Sequence, residues 1–430
     1  MDRRSFLALI LAGCADPSLE PSLGVPTAAA QPAPGTPAVP AVPPASAALT
    51  PSGDPNFDVW LSGFYLRARD AGVPVVVLDR ELAGLTPDVR ASAQDSRQPE
   101  FSKPVGDYVK GVVSDVRITQ GRQFRDSLPY LADIEQRYGA PREIVLAIWA
   151  MESAFGKIQG DMDVIRSLAT LAADGRRRGW AEGELIASLK IVGSGEAPRS
   201  RLKGSWAGAM GQTQFLPSVF LATAVDGDKD GARDIWGSTA DALYSTGNYM
   251  AKAGWKRGES WAREVILPPG FDYSVVEGPK DTPAGWAAKG VKRADGLPWT
   301  SADAAAQAGL ILPSGAAGPA FLVFPNHMAI RRYNNSTAYA LGVGLLADRF
   351  GGGGPLVTPW PYEVPLSLAD RMAAQTALAR IGFDPGAPDG VIGSGTRTAL
   401  RAWQKARGLP ADGYLSVDLV RKLKAEAGLP

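Results

Sequence analysis

The sequence holds very little of the two residue types that most often build metal centres and nucleophilic sites. Its 430 residues include one cysteine and one histidine. A zinc site usually needs three or four ligands rich in these residues, so zinc peptidases, zinc amidases and zinc fingers are excluded. A disulfide within the chain cannot form, and a Ser–His–Asp or Cys–His site would have to use Cys14 or His327. Carboxyl groups are therefore the side chains expected to carry out any catalysis.

The chain also lacks an excess of charge of either sign. There are 45 Lys and Arg residues against 44 Asp and Glu residues, which gives a formal net charge of +1. Because such a chain has no global field that attracts polyanions, nucleic acid is not an expected partner. A hydrophobic share of 45% is enough for a sizeable core, and the length suggests two or three domains.

The sole cysteine lies at the end of a short, export-like segment. A basic start is followed by the apolar run Phe6–Ala12, which is far shorter than the roughly 20 residues that span a bilayer. Residues 11–14, Leu-Ala-Gly-Cys, resemble the bacterial lipobox, so residues 1–14 are predicted to be a lipoprotein-type signal peptide with Cys14 lipidated. Arg3-Arg4 resembles a twin-arginine signal, and an ordinary basic start fits equally well. These resemblances imply a periplasmic protein anchored to the outer membrane of a Gram-negative bacterium.

Composition divides the rest of the chain. Residues 15–55 hold 11 prolines and 10 alanines, so they are predicted to form an extended linker. Helical apolar spacing dominates residues 56–350, apart from a region of Gly, Pro and short β-like runs at about 265–324. We predict a mainly α domain with a small, partly β insertion. The glycines that open residues 351–365 lack the Lys-Ser/Thr of a phosphate loop and indicate a flexible linker, and residues 366–430 form a separate module.

One glutamate is placed at the end of a predicted buried helix. Pro141 suits the first turn of this helix, Gly156 suits its end, and Ile144–Met151 is apolar on every side. Glu152 follows directly. Because poor solvation disfavours the charged form of a carboxyl, its pKa is expected to rise, as a general acid for a glycosidic oxygen requires. Taken by itself, the pattern fits equally well a glutamate that points to solvent from a frayed helix end.

A second segment, residues 203–218, combines small residues with amides and one indole. The small residues let a ligand approach the backbone. Ser205 and Gln214 can hydrogen-bond sugar hydroxyls or N-acetyl groups, and Trp206 offers a face for stacking on a pyranose. A tightly packed junction between a helix and a loop would account for the glycines as well.

These two segments, together with Arg332-Tyr-Asn-Asn-Ser-x-x-Tyr339, resemble the membrane-bound lytic transglycosylase B family over residues 57–350. Members of this family have a lysozyme-like fold and cleave the glycan strands of peptidoglycan. The resemblance implies that Glu152 is the catalytic acid and base. It also places seven residues in the substrate site: Ser205, Trp206, Gln214, Tyr249, Tyr333, Asn334 and Tyr339. Peptidoglycan strands are then the expected partner, and the chemistry needs no cofactor.

The resemblance further implies a reaction that runs on one carboxyl group, whereas ordinary glycosidases use two. The glutamate would protonate the oxygen of the β-1,4 bond between N-acetylmuramic acid and N-acetylglucosamine. It would then take the proton of the muramyl 6-hydroxyl, which attacks and closes a 1,6-anhydro ring. Two alternatives stay open. One is a muramidase that cleaves the same bond with water, and the other is a non-catalytic peptidoglycan-binding scaffold.

An acidic run, Asp226-Gly-Asp228-Lys-Asp230-Gly231, matches the first half of an EF-hand loop. Carboxylates at alternate positions converge on a hard cation, and the glycine permits a sharp turn. The bidentate Glu expected at position 12 is replaced by Gly237. By resemblance to family members that bind calcium through a lengthened loop, Asp241 would be the last ligand and Ala232 would give its carbonyl. We predict a structural Ca²⁺ site here, with a plain acidic turn as the alternative.

The last module resembles the common three-helix peptidoglycan-binding domain. The resemblance rests on Asp389-Gly390, Trp403-Gln404 and Asp412-Gly413 with their surrounding spacing. The Asp-Gly steps make turns between short helices. The resemblance implies a wall-anchoring role, although the packing of a small core explains most of the same residues. No protein partner can be predicted.

Overall fold

The computed structural model describes residues 49–96 and 103–430. The predicted signal peptide, Cys14 and most of the first predicted linker therefore lie outside the described residues. In the described part, helices dominate and the strands are few and short. None of its helices has both the length and the apolar character needed to cross a membrane.

The first half of the large domain is built from helices joined by short turns. In chain order they are α1 (Pro55–Asp70), α2 (Val75–Leu82), α3 (Val89–Ser96), α4 (Val105–Val112), α5 (Asp115–Ser127), α6 (Leu131–Tyr138), α7 (Arg142–Ser153), α8 (Val164–Asp174), α9 (Arg178–Gly193), α10 (Pro217–Thr223) and α11 (Thr239–Lys252). Strands β1 (Met162–Asp163) and β2 (Lys203–Gly204) pair antiparallel. One hydrophobic core forms around α7 and a second around α1, α8 and α9. Tyr249 and Tyr333 pack against both cores, which places them at the boundary.

Helix α7 is the centre of the first core. Every residue from Ile144 to Ser153 is buried, as the all-apolar run predicts. Pro141 precedes the helix as its N-cap residue. The helix ends at Ser153 rather than near Gly156, because Ala154 already has a left-handed φ of 50°. The chain therefore leaves the helix directly after Glu152 and Ser153.

The predicted partly β insertion is confirmed. Its elements are β3 (Ala262–Ile266), α12 (Pro283–Ala288), β4 (Lys292–Arg293), α13 (Ser301–Ala305), β5 (Gly309–Ile311) and β6 (Ala320–Val323). The four strands lie antiparallel in the order β4-β3-β6-β5, with Val265 of β3 opposite Ala320 of β6. Val265, Trp286 and Phe324 belong to a separate core under this sheet. Helices α14 (Pro325–Tyr333) and α15 (Thr337–Phe350) then return to the first core and carry the third sequence motif.

The segment of residues 351–365 runs over the insertion in specific contacts. The Glu264 carboxylate accepts hydrogen bonds from the backbone N–H groups of Val357 and Thr358 at 2.8 and 2.7 Å. The ring of Trp360 lies 6.2 Å from the ring of Phe321. The glycine content indicated a flexible linker, but a carboxylate of β3 and an aromatic contact hold this segment in place.

The C-terminal module has the three helices that its resemblance implies: α16 (Leu368–Arg380), α17 (Ser394–Ala406) and α18 (Val417–Glu426). They enclose their own core. The Glu277 carboxylate of the insertion accepts hydrogen bonds from Arg397 and Arg401 of α17, each at 2.7 Å. The carboxylate of Asp412 accepts one from the backbone N–H of Ala316 at 2.8 Å. The module is thus docked on the insertion.

Candidate active site

Glu152 occupies the last turn of α7 and is 3% exposed. Burial raises the pKa of this carboxyl to about 8, and a hydrogen bond from Tyr339 opposes part of that rise. The Tyr339 hydroxyl donates to Glu152 Oε1 at 2.5 Å. Since a pKa near 8 leaves the group largely protonated at neutral pH, Glu152 can act as a proton donor there. The structure thus favours the buried acid over the frayed, solvent-facing glutamate.

Three phenols interact with Glu152. Burial raises the pKa of Tyr108, Tyr333 and Tyr339, and the charge of Glu152 adds to each rise. Of these three, Tyr339 also bonds to the carboxyl directly.

The backbone directly after Glu152 is strained. Ala154, Phe155 and Gly156 all have left-handed φ values, of 50°, 59° and 79°. A left-handed conformation costs roughly 1 to 3 kcal/mol for a residue with a side chain, and it persists only when the surrounding structure enforces it. Such strain concentrates at functional sites, so it is consistent with a catalytic role for this helix end.

The loop predicted to contact sugar is held by its own polar groups. Ser205 is 1% exposed, and its Oγ accepts hydrogen bonds from the backbone N–H groups of Ala207 and Ala209 at 3.3 and 3.1 Å. Gln214 has a φ of 51°, and its amide donates to the carbonyls of Gln159 and Gly211 at 3.0 and 2.9 Å. Both side chains shape the loop, and their contact with substrate stays a prediction.

Two predicted tyrosines form an aromatic wall with Phe215. The rings of Tyr249 and Tyr333 lie 4.7 Å apart, and Phe215 lies 5.8 Å from each. The Tyr333 hydroxyl donates to the carbonyl of Thr213 at 2.6 Å, and the Tyr249 hydroxyl donates to that of Arg332 at 2.5 Å. The wall joins the loop to helix α14 through Tyr333, whose pKa is also raised by the charge of Glu152.

Trp206 and Asn334, the other two residues predicted to bind substrate, are not part of the aromatic wall. Trp206 is half-buried, and its ring lies 5.5 Å from the guanidinium carbon of Arg177. Asn334 is 7% exposed and is the residue that ends α14. The stacking role of Trp206 and the ligand role of Asn334 therefore stay predictions.

Sequence reasoning missed two residues of the site. Tyr108 lies on α4, outside the three motifs, and faces the charge of Glu152. Gln212 lies inside the second motif and accepts a hydrogen bond from Trp149 of α7 at 2.9 Å. No pattern in the sequence pairs Tyr108 with Glu152, since 44 positions separate them. The available signal was its place directly after Gly211, in a motif rich in glycines and amides.

The acidic loop brings three of its predicted ligands together. One carboxylate oxygen from each of Asp226, Asp228 and Asp230 lies within 4.8 Å of the others. The donor set consists of hard oxygens, and Gly231 takes the left-handed φ of 95° that the sharp turn needs. These residues fit a Ca²⁺ ion.

Asp241 lies beside the acidic loop. It is fully buried in the first turn of α11. Its carboxylate accepts hydrogen bonds from the backbone N–H groups of Gly227, Asp228 and Asp234 at 2.7, 3.3 and 2.6 Å. These bonds tie Asp241 to the backbone of the loop, and its role as the last ligand stays a prediction. The carbonyl of Ala232 stays a predicted ligand.

The fold and the site together define a class of enzyme. A helical domain presents one buried glutamate, protonated at neutral pH, at the end of its central helix. Around it lie phenols and amides that suit a polyhydroxylated ligand. This is the arrangement of a lysozyme-like enzyme that cuts glycosidic bonds with a general acid.

Comparison with known families then places the chain. The model of the family described as "Transglycosylase SLT domain" matches residues 56–348, and "Putative peptidoglycan binding domain" matches residues 367–423. The chain therefore belongs to the SLT transglycosylase family and carries a peptidoglycan-binding domain. The family and the mainly α fold class predicted from the sequence are confirmed.

Individual relatives agree with this placement. The membrane-bound lytic murein transglycosylase B of Escherichia coli K12 is 34% identical over 222 residues, which span 50% of this chain and 58% of that protein. A crystal structure of SltB3 from Pseudomonas aeruginosa in complex with NAG-anhNAM-pentapeptide is 46% identical, with a TM-score of 0.82, and covers 86% of this chain and 100% of that one. Slt35 of Escherichia coli in complex with calcium is 28% identical, with a TM-score of 0.56, and covers 69% and 93%.

Proposed function

We propose that the protein is a lytic murein transglycosylase. It cleaves the β-1,4 bond between N-acetylmuramic acid and N-acetylglucosamine of peptidoglycan and leaves 1,6-anhydromuramyl ends. The observation that carries the proposal is the buried Glu152, whose pKa of about 8 suits a general acid and whose surroundings are phenolic. Membership of the family supports it, as does the anhydro sugar in the ligand of the SltB3 structure.

The reaction uses the same carboxyl twice. Glu152 first donates its proton to the glycosidic oxygen as the bond to the muramyl anomeric carbon breaks. The resulting carboxylate then accepts the proton of the muramyl 6-hydroxyl as that oxygen attacks the anomeric carbon. The proton lent in the first step is regained in the second, and no water is consumed. The Tyr339 hydroxyl, 2.5 Å from Oε1, stabilises the carboxylate between the two steps.

The substrate site extends from Glu152 along the loop and the aromatic wall. Ser205, Gln214 and Asn334 offer polar groups, and Tyr249 and Tyr333 offer rings beside them. Trp206 adds a further stacking face at the Arg177 side of the loop. Removal of a stacking ring is expected to raise KM more than it lowers kcat, because the ring binds substrate and transition state alike.

Product analysis separates this function from its alternatives. Purified protein is incubated with peptidoglycan sacculi, and the soluble fragments are analysed by mass spectrometry. Fragments with 1,6-anhydromuramyl ends support the proposal. Reducing ends, heavier by one water, would instead assign a muramidase. Binding to sacculi without fragments would assign a scaffold, and a Glu152→Gln variant supplies the inactive reference.

We further propose that the protein is periplasmic and that a lipid attached at Cys14 anchors it to the outer membrane. The motif around Cys14 and the membrane-bound relative from Escherichia coli support this. In cells fed an alkyne-bearing fatty acid, the wild-type chain should become labelled and sediment with membranes, whereas Cys14→Ser should be unlabelled and soluble. A labelled or membrane-bound Cys14→Ser variant would contradict the anchor.

We also propose a structural Ca²⁺ ion in the acidic loop, held by Asp226, Asp228 and Asp230 with the carbonyl of Ala232, and with Asp241 as the last ligand. Such an ion would neutralise three clustered carboxylates and rigidify the loop. The cluster geometry supports it, and the Slt35 structure was determined with calcium. The ion has no part in the proton transfers.

A further inference from the structure

Gln212 is a buried amide, 4% exposed, that bonds to the last turn of α7 on both sides of the catalytic carboxyl. Its side-chain Oε1 accepts a hydrogen bond from Trp149 Nε1 at 2.9 Å. Its backbone carbonyl accepts one from Ser153 Oγ at 2.7 Å. Trp149 precedes Glu152 by nearly one turn and Ser153 follows it directly. One residue therefore holds the helix before and after the carboxyl.

The same residue is fastened on its other side. Its Nε2 donates to the carbonyl of Trp236 at 3.2 Å, and its backbone N–H donates to the carbonyl of Ile235 at 2.9 Å. The chain that leaves α7 also passes close to it, because a Cβ added to Gly156 would lie 2.6 Å from Gln212 Oε1. Gln212 thus joins the helix end to the segment after the acidic loop, and little free space surrounds it.

The helix end needs such a fastening. Left-handed residues follow Ser153 at once, so the last turn is not continued by further helix. The 2.5 Å contact between Glu152 and Tyr339 holds only when that turn is correctly placed. Proton transfer is sensitive to misplacement on the scale of about 1 Å, which can cost about a hundredfold in rate.

We propose that Gln212 is a positioning residue for Glu152, whose amide and backbone carbonyl lock the last turn of α7 so that the carboxyl keeps one place through both proton transfers. The inference rests on the proposed function, because positioning has a kinetic consequence only where Glu152 carries the proton. Gln212 itself touches no reacting atom.

The test replaces Gln212 by Met, which keeps the length and approximate volume of the side chain and removes its hydrogen bonds. On a soluble glycan fragment of peptidoglycan, kcat of Gln212→Met should fall about 10- to 100-fold with KM changed less than threefold. The alkaline limb of its kcat–pH profile should also move, because the environment of Glu152 changes.

Asn326→Leu is the matched control. Asn326 is a fully buried amide of the same domain, and its side chain makes three hydrogen bonds to the backbone of Lys256 and Glu259. It should lose melting temperature much as Gln212→Met does, yet keep kcat within about twofold and keep the pH profile of the wild type. A purely structural role for Gln212 predicts instead that both variants lose kcat in step with melting temperature.

Trp149→Phe removes the same hydrogen bond from the other partner and serves if Gln212→Met does not fold. In a double-mutant cycle, the two substitutions together should cost no more kcat than the worse single one. Wild-type kcat and pH limb in Gln212→Met, or in Trp149→Phe, would overturn the inference. Failure of the proposed function is distinct, because the wild-type protein would then release no anhydro products.

Discussion

The molecule sets carboxyl groups in two opposite environments, on α7 and in the acidic loop. Glu152 is alone, buried, and held by one phenol. Asp226, Asp228 and Asp230 lie together at the surface, and backbone N–H groups surround them. The first setting favours the neutral acid, and the second favours a bound cation. On the proposed function, the same functional group serves as a proton carrier or as a metal ligand according to its solvation and its neighbours.

Asp241 combines a feature of each of the two environments. It belongs to the acidic segment by sequence but is buried like Glu152. Three backbone N–H groups donate to its carboxylate, whereas a phenol donates to that of Glu152. Burial alone therefore does not make a catalytic acid. The comparison predicts that substitutions on the α7 side change rate and pH dependence, whereas those in the loop change stability and its response to calcium.

The largest expected effect is on turnover. Glu152→Gln removes the proton carrier and should lower kcat on sacculi by at least about a thousandfold, measured as soluble fragments released per minute. Glu184→Gln is the matched control. It is a second buried glutamate whose pKa is raised by burial, but its hydrogen-bond donor is Ser218 rather than Tyr339. An active, folded Glu152→Gln variant would contradict the role of Glu152 as the proton carrier. An equally inactive Glu184→Gln variant would show that the loss is not specific to Glu152.

The next effect is on stability and follows from the sign of the Glu152 shift. Its folded-state pKa of about 8 lies above the ordinary value of 4.5, so the folded protein keeps a proton that the unfolded chain loses between these pH values. Wild-type stability should fall over that window, and the neutral Glu152→Gln variant should not share the fall. By about pH 8, the variant should be more stable by up to about 4 kcal/mol, since one unit is worth ~1.4 kcal/mol.

Urea unfolding at pH 4 and pH 8 measures this difference. At pH 4 the Glu152 carboxyl is largely protonated in both the folded and the unfolded wild-type protein. The pH-dependent difference in stability between wild type and Glu152→Gln should therefore be absent. A gap that is the same at both pH values would mean that burial does not shift the Glu152 carboxyl.

A smaller effect concerns calcium. Added Ca²⁺ should raise the melting temperature of the wild-type protein by several degrees, because a ligand at about 100 times its Kd stabilises the folded state by ~2.7 kcal/mol. Asp228→Asn should lose this response and keep its kcat. Asp418→Asn, which removes an exposed carboxyl of the C-terminal module, should respond like the wild type. Equal melting temperatures in chelator and in Ca²⁺ would contradict the proposed Ca²⁺ site.

The smallest effect is a shift of one pH limb. Tyr339→Phe removes the hydrogen bond that lowers the pKa of Glu152, so this pKa should rise further and the alkaline limb should move up by up to about one unit. Turnover should also drop about tenfold, because the carboxylate formed in the first step loses its donor. Tyr108→Phe removes a phenol that interacts with Glu152 through space and should move the limb less. A downward shift in Tyr339→Phe would reverse the assigned role.

The sequence was sufficient to predict the buried helix that carries Glu152, but not the contacts that hold this carboxyl. An all-apolar run before Glu152 predicts a buried helix, because burial on every side leaves no other place for such residues. The family resemblance places Tyr339 in the substrate site but does not reveal that its hydroxyl donates a hydrogen bond to Glu152. The left-handed Ala154 and the bonds of Gln212 are tertiary features, and no local propensity encodes them.

The fold likewise has parts that the sequence predicts and parts that it does not. The helical domain, the partly β insertion and the three-helix module follow from periodicity and from family motifs. The fixed course of residues 351–365 does not, because it depends on Glu264 of β3, a carboxylate distant in sequence that binds two amides of the segment. The burial of Asp241 could not be predicted for a similar reason, since its position in the EF-hand pattern did not reveal that helix α11 buries it.

The most direct test of the central claim is the titration of Glu152 itself. In protein labelled with ¹³C at the glutamate carboxyl carbon, the signal that is missing from Glu152→Gln identifies this residue. Its chemical shift can then be followed from pH 3 to pH 10. A single buried proton carrier predicts a midpoint near pH 8. A midpoint near 4.5, the ordinary value for glutamate, would contradict the account.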